Sequence, residues 1–371
     1  MMVEKTNITP FQLFCLMIIA GLGSSSVLGV GMGAKQDAWI TSLLGMVSGL
    51  ILFLVYSYIF SKYPDDHFGK VLEKIFGKLI GKILSFIYVV HFIVFGTLVI
   101  RDIGEMVVLY VLPATPIYIS HLLAMLVISY AVYLGIEVMA RFNESIFFIT
   151  LIIWFSFIIL PLASGIVKIE NMLPVLENGW APVLKTTYPL TTAFPFSELF
   201  IFMMIFPHLN KKKKVVGTGL KAIFILGLLL TVINLINITS LGPYMAEKAM
   251  FPTLVTFRLI SIGEAIQRVD SLAVILLMVG GGVKIAMYLY GVTVLLDGIF
   301  ETKNYRQYII PSLIAISFLT FMLADNLTRH IHLGLKIVPY YLNLPLEMIA
   351  PIVVSIIIFI MQFFKKRKTA K

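Results

Sequence analysis

Ten stretches of the chain are long and apolar enough to cross a bilayer, and no other feature restricts its fold as strongly. A spanning helix needs about 20 mainly apolar residues. Eight charge-free runs supply them: Lys5 to Lys35, Asp37 to Lys62, Lys82 to Arg101, Glu105 to Glu137, Glu144 to Lys168, Lys221 to Glu247, Arg306 to Asp325 and Glu347 to Lys365. Two more, the sixth and the eighth in order, each carry one charge near the middle. These are Glu198, between Lys185 and Lys211, and Lys284, between Asp270 and Asp297. Lipid cannot satisfy open strand edges, so the runs are read as helices. They are also too long and too uniformly apolar for barrel strands. The expected fold is an all-α integral membrane protein with ten transmembrane helices, a single transmembrane domain over residues 1–371.

Composition agrees: 59% of residues are apolar and 13% charged, against roughly 45–50% and 25% in soluble proteins. A soluble chain of this kind would expose large apolar patches. That excludes a nucleic-acid-binding enzyme, a disordered regulator and a secreted disulfide domain. The single cysteine, Cys15, can form neither an intrachain disulfide nor a multi-cysteine metal site; it reads as a small apolar residue. The first apolar run extends beyond a signal-peptide core and reads as a retained span.

Lys and Arg set the orientation. With the N-terminus in the cytoplasm, 19 of them fall on the inner side and 9 on the outer, with Lys284 inside the bilayer. Both termini are therefore expected to be cytoplasmic, and Lys211–Lys214 reads as an inner anchor rather than a nucleic-acid signal. Arg101 counts among the outer charges. Two outer segments are long, about 165–188 and 243–269. In the second, Phe251, Leu254, Val255, Ile262 and Ile266 recur at near-helical spacing among Arg258, Glu264 and Arg268. The spacing predicts an amphipathic helix on the outer face, as a lid or a connector.

The first and sixth spans are expected to be broken. The first holds Gly21, Gly23, Ser24, Ser25 and Ser26 at its centre. Glycine frees the backbone and serine can bond the groups released. Gly29, Gly31 and Gly33 fit close helix packing instead. In the sixth, Pro195 removes an amide donor, and Glu198 follows three residues later. A charge in mid-bilayer is costly and faces a cavity or a partner. Either a ligand role or a structural ion pair satisfies that demand. Breaks in the first and sixth of ten spans occupy corresponding positions of two five-helix halves, a pattern that points to a midplane site between inverted repeats. The halves are expected at 8–165 and 186–365.

The chain resembles the spore germination permeases, the B subunits of Ger-type nutrient germinant receptors. The stretches that carry the likeness are Gly33-Ala34-Lys35-Gln36-Asp37-Ala38-Trp39, Arg101-Asp102-Ile103-Gly104-Glu105, Gly135 to Arg141, Leu173 to Trp180, Phe194-Pro195-Phe196-Ser197-Glu198, and Lys284 through Tyr288-Leu289-Tyr290. The resemblance implies the amino acid–polyamine–organocation superfamily and its five-plus-five inverted-repeat fold. It also implies a nutrient ligand, A-type and C-type partner subunits and the spore inner membrane. In transporters of this fold the third and eighth spans line the site. Here those offer His91 with Phe95, and Lys284 with Tyr288, each pair one turn apart on a helix face.

A zwitterionic ligand needs amides for its carboxylate and carbonyls for its ammonium. Gly21 to Ser26 can supply the first, and Phe194 to Ser197 the second. His91 reads as a ligand contact or a structural histidine, and Phe95 and Tyr288 as contacts or packing aromatics. In sodium-coupled relatives of the fold, the first and eighth spans hold the ion. Lys284 can stand in for it, or pair with Glu198 or another acid. No catalytic constellation, metal-ligand spacing or nucleotide loop is present, and Gly280-Gly281-Gly282 is not a P-loop. No enzyme activity, cofactor, metal or nucleic acid is expected. Three function classes remain: a nutrient-sensing receptor subunit, which the resemblance favours; an amino acid permease working with protons or by exchange; and a water or ion channel. A small cavity favours alanine, a larger one valine, leucine or proline.

Overall fold

The computed structural model describes residues 7–262, 266, 267, 269–302 and 304–369. Lys5, Glu264 and Arg268, named in the reading above, lie outside the described residues. Among the described residues, seven helical stretches are each long and apolar enough to cross a membrane. They correspond to the second, third, fourth, fifth, seventh, eighth and tenth spans. The other three fall short for local reasons.

The first span begins as a helix over Pro10–Leu22. Its start is well specified: Thr9 Oγ1 accepts from the Gln12 amide at 3.1 Å, and Gln12 Oε1 accepts from the Thr9 amide at 2.9 Å, a reciprocal capping box with proline at the first helical position. The helix stops at the glycine–serine cluster, and residues 23–31 form successive turns. Gly29 and Gly31 adopt positive φ, 61° and 103°, which a side chain would resist. The sixth span, 187–208, is wound irregularly, with extended backbone at Tyr188 and Phe194, each just before a proline. The residue before proline avoids the helical region, so the sequence dictates both interruptions. The ninth is a helix of only 14 residues, Ile309–Met322, entered through a tight turn at Tyr305–Tyr308.

The long third span, Lys78–Tyr110, packs along the eighth, Asp270–Phe300, and the second, Ala38–Lys62, along the seventh, Val215–Leu241. The first-span helix lies among the fifth, seventh and eighth. A Cβ on Gly280 would fall 2.5 Å from the Gly23 Cα, and one on Gly23 would fall 2.6 Å from the Gly280 carbonyl carbon. The two backbones therefore touch directly. The fourth and fifth spans, Ile117–Leu134 and Ile136–Ala163, turn Val127 and Ile152 outward, the face that lipid covers.

The expected amphipathic surface helix is corrected in two respects. The helix covers only Pro252–Arg258, and an antiparallel pair, Ser261–Ile262 with Ile266–Gln267, follows it. It does not lie on a surface: Phe251, Leu254 and Phe257 are buried. It plugs onto the break in the first span, where Thr253 Oγ1 donates to the Ser26 carbonyl at 2.6 Å. The span boundary drawn at Arg101 is corrected too. Arg101 sits within the third-span helix, buried, and pairs with Glu105 at 2.6 Å one turn on.

Two long-range ties fasten the ends of the broken helices. The Ile8 amide donates to the His208 carbonyl, and the Asn210 amide to the Ile8 carbonyl, both at 3.1 Å. At the far end of the first span, Gln36 Nε2 donates to Glu177 at 2.8 Å and the Leu176 amide donates to Asp37 at 2.9 Å.

The contact between Gly23 and Gly280 yields a stability comparison. Gly280→Ala should lower the thermal midpoint of the detergent-solubilised protein, by the equivalent of about 1–3 kcal/mol for overpacking. Gly282→Ala, with nothing within 4 Å of its Cβ, should leave the midpoint unchanged or slightly raised. Fluorescence-detected thermal unfolding checks both.

Candidate functional site

Lys284 lies in the middle of the eighth span, where an isolated ammonium would be prohibitively desolvated. Its Nζ donates to Glu198 Oε2 at 2.7 Å, and both side chains are buried. It also reaches Ser24 Oγ at 3.4 Å and sits 4.6 Å from the ring centroid of Phe194. One ammonium thus joins the eighth span to the irregular sixth and to the break in the first.

The break exposes main-chain groups in an ordered way. Ser25 Oγ donates to the Gly21 carbonyl, and Ser26 Oγ to the Gly23 carbonyl at 3.0 Å. These serines satisfy carbonyls that the helix has released. The Ser24 and Ser25 amides donate to no backbone carbonyl among the described residues.

A cavity of about 40 Å³ opens beside this junction. Ser24, Phe95, Phe194, Glu198, Asp102, His330 and Asn343 line it, with an apolar remainder that includes Leu98, Val99, Leu335 and Val338. A smaller space of about 10 Å³ adjoins Glu198 on another side, walled by Gly21, Pro195, Lys284 and Tyr288. By the same measure a water needs about 10–15 Å³, so the larger cavity suits a compact solute. The Tyr288 ring packs on Phe92 and Phe95, and its buried hydroxyl has no partner among the described residues.

The thirteen residues expected at a ligand site therefore divide. Ser24, Phe95, Phe194 and Glu198 line the cavity, and Gly21, Pro195, Lys284 and Tyr288 the adjoining space. Gly23 is a packing contact, Ser25 and Ser26 serve the backbone, and His91 and Ser197 face a second polar centre.

Sequence reasoning missed that centre. It placed Glu347 at the boundary of the tenth span, whereas the carboxylate is wholly buried within a continuous helical run from Leu327 to Lys365. Ser197 Oγ donates to it at 2.6 Å, Asn343 Nδ2 at 2.8 Å, and His91 Nε2 lies 3.0 Å away. Pro351 offers no amide to the carbonyls one turn earlier. Tyrosine hydroxyls replace it: Tyr56 donates to the Glu347 carbonyl and Tyr88 to the Leu346 carbonyl, both at 2.6 Å. A third buried pair, Asp102 with His330 at 2.7 Å, bridges the third and tenth spans on the cavity wall. The signal for Glu347 was present. It is the one charge between Lys336 and Lys365, the same pattern that marked Glu198 and Lys284.

A family profile described as "Spore germination protein" matches residues 7–329. The chain belongs to this family. Spore germination protein KB of Bacillus subtilis (strain 168) is 36% identical to it over 368 residues, 99% of this chain and 98% of the relative. Spore germination protein XB of Bacillus anthracis is 27% identical over 262 residues, 69% and 70% of the two chains. Among solved structures, MhsT in complex with L-phenylalanine superposes with a TM-score of 0.65 at 13% identity, covering 94% of this chain and 97% of that one. A Na+-coupled sialic acid symporter superposes at 0.63, also at 13% identity, covering 90% and 80%. These likenesses show the fold: this germination protein has the all-helical architecture of amino-acid transporters, with its first and sixth helices broken.

The buried pair can be tested in both directions. Lys284→Met leaves Glu198 buried and unpaired, which should cost about 3–5 kcal/mol of stability. Glu198→Gln should likewise destabilise. The double variant should recover most of the loss, because it removes both charges together. Thermal midpoints of the three purified variants measure this, and an unrecovered double variant contradicts the pairing.

Proposed function

We propose that this chain is the nutrient-sensing B-type subunit of a germinant receptor, and that the cavity beside Ser24 and Glu198 holds a small amino acid. The observation that carries the reading is the junction itself: Ser24 and Glu198 line a compact, mostly apolar cavity, Lys284 bonds to both from behind, and the Ser24 and Ser25 amides donate to no backbone carbonyl among the described residues. The amides suit a carboxylate, which gains from the oriented N–H groups. The carbonyls around Phe194 to Ser197 suit an ammonium. The rings of Phe95 and Phe194 and the side chains of Leu98, Val99, Leu335 and Val338 suit an apolar side chain. The small volume favours alanine over leucine.

Lys284 takes the part of a fixed cation between the first and eighth spans, where coupled transporters of this fold place sodium. Ligand binding then selects one arrangement of the broken helices and passes that bias to A-type and C-type partner subunits in the spore inner membrane. Both termini face the cytoplasm in this reading, and the two halves run over 8–165 and 186–365.

Binding by the purified protein should saturate with one or more of alanine, valine, leucine and proline. Affinity should be unchanged when sodium is exchanged for potassium at constant ionic strength. A strict sodium requirement overturns the role given to Lys284. Reconstituted vesicles should bind labelled amino acid without accumulating it; accumulation would make the protein a permease.

A further inference from the structure

Among the described residues, Asn343 Oδ1 is a buried acceptor with no hydrogen-bond partner, in a side chain only 1% exposed. Its orientation is decided from the other end of the amide. Nδ2 donates to Glu347 Oε2 at 2.8 Å, and a carboxylate accepts, so nitrogen faces Glu347 and oxygen faces away. Glu347 cannot turn to relieve this, because Ser197 and His91 hold it as well. A buried carbonyl without a donor is unfavourable and calls for an explanation. Asn343 lines the same cavity as Ser24, Phe194 and Glu198. It also belongs to the widely wound stretch Pro339–Ile349, and such wide turns frequently mark functional positions.

We infer that Asn343 and Glu198 form an amine subsite. Asn343 Oδ1 accepts one N–H of the ligand's ammonium, and the Glu198 carboxylate, already matched by Lys284, faces the same group. The tenth span thereby enters ligand recognition, with Glu347 holding the amide in register. The inference rests on the reading of the cavity as an amino-acid site. It adds the requirement that the ligand carry an N–H donor at its α position. The carboxylate remains with the Ser24 and Ser25 amides.

The test compares each amino acid with its des-amino acid by isothermal titration on the purified full chain: L-alanine with propanoate, L-valine with 3-methylbutanoate, and L-leucine with 4-methylpentanoate. The unmodified protein should bind the amino acid of its best pair about tenfold or more tighter than the partner lacking nitrogen, as expected for a hydrogen bond to a charged donor. Asn343→Leu should cut that ratio by about tenfold while leaving affinity for the des-amino acid nearly unchanged. A purely structural role for Asn343 would weaken both ligands together and preserve the ratio, which overturns the inference. No binding by any compound overturns the amino-acid reading and this inference with it; binding with an unchanged ratio overturns this inference alone. A ligand-bound structure of the unmodified chain reads the same point without a substitution. An amine within hydrogen-bond reach of Asn343 Oδ1 supports the subsite, and a water in that place with the amine elsewhere refutes it.

Discussion

The Lys284–Glu198 contact is the interaction around which the rest of the bundle is arranged. A lone charge at that depth is intolerable, so each residue requires the other. Glu198 can be met by Lys284 only if the sixth span bends at Phe194-Pro195 and the eighth approaches closely. The approach is made possible by the bare backbones of Gly23 and Gly280. The break in the first span then brings Ser24 to the same ammonium. Replacing a buried ion pair by apolar residues is often neutral or stabilising, so the pair's contribution is better seen in geometry than in net stability. It selects one register among three elements that would otherwise slide.

Much of this was legible in the sequence. Apolar runs marked ten candidate spans, and seven of them are long apolar helices among the described residues. The positions of Gly21 to Ser26 and of Pro195 located both breaks, because glycine and proline act on the backbone directly. Isolated charges marked Lys284 and Glu198. What stayed hidden shares one cause: a charged residue was taken to end a span. That rule ended the third span at Arg101 and left Glu347 at an edge. Both lie buried within long helical stretches, and both are partnered by residues close on the same helix as well as, for Glu347, by residues far away in the chain. The partners one turn away were readable at i,i+4 spacing, whereas Ser197 and His91, which also hold Glu347, are brought to it only by tertiary contact. The same holds for Gly23, whose neighbour Gly280 is distant in sequence, and for the buried segment after Phe251, whose apolar spacing is equally suited to a surface.

The stretches that carry the family likeness also find a physical reason. Gln36 and Asp37, beyond the first span, bond to Glu177 and to the backbone of Leu176. Two sequence motifs separated by more than a hundred residues thus form one staple. Asp102, from another such stretch, bridges to His330 on the cavity wall. These polar contacts hold the irregular segments that apolar packing alone would leave without a defined direction.

The main-chain pairing of Ile8 with the segment around Leu209 has a mechanical consequence. It couples the start of the first broken helix to the end of the sixth through peptide groups, not side chains. Peptide groups have no rotamers to absorb a displacement, so a tilt of one helix end would pull on the other directly.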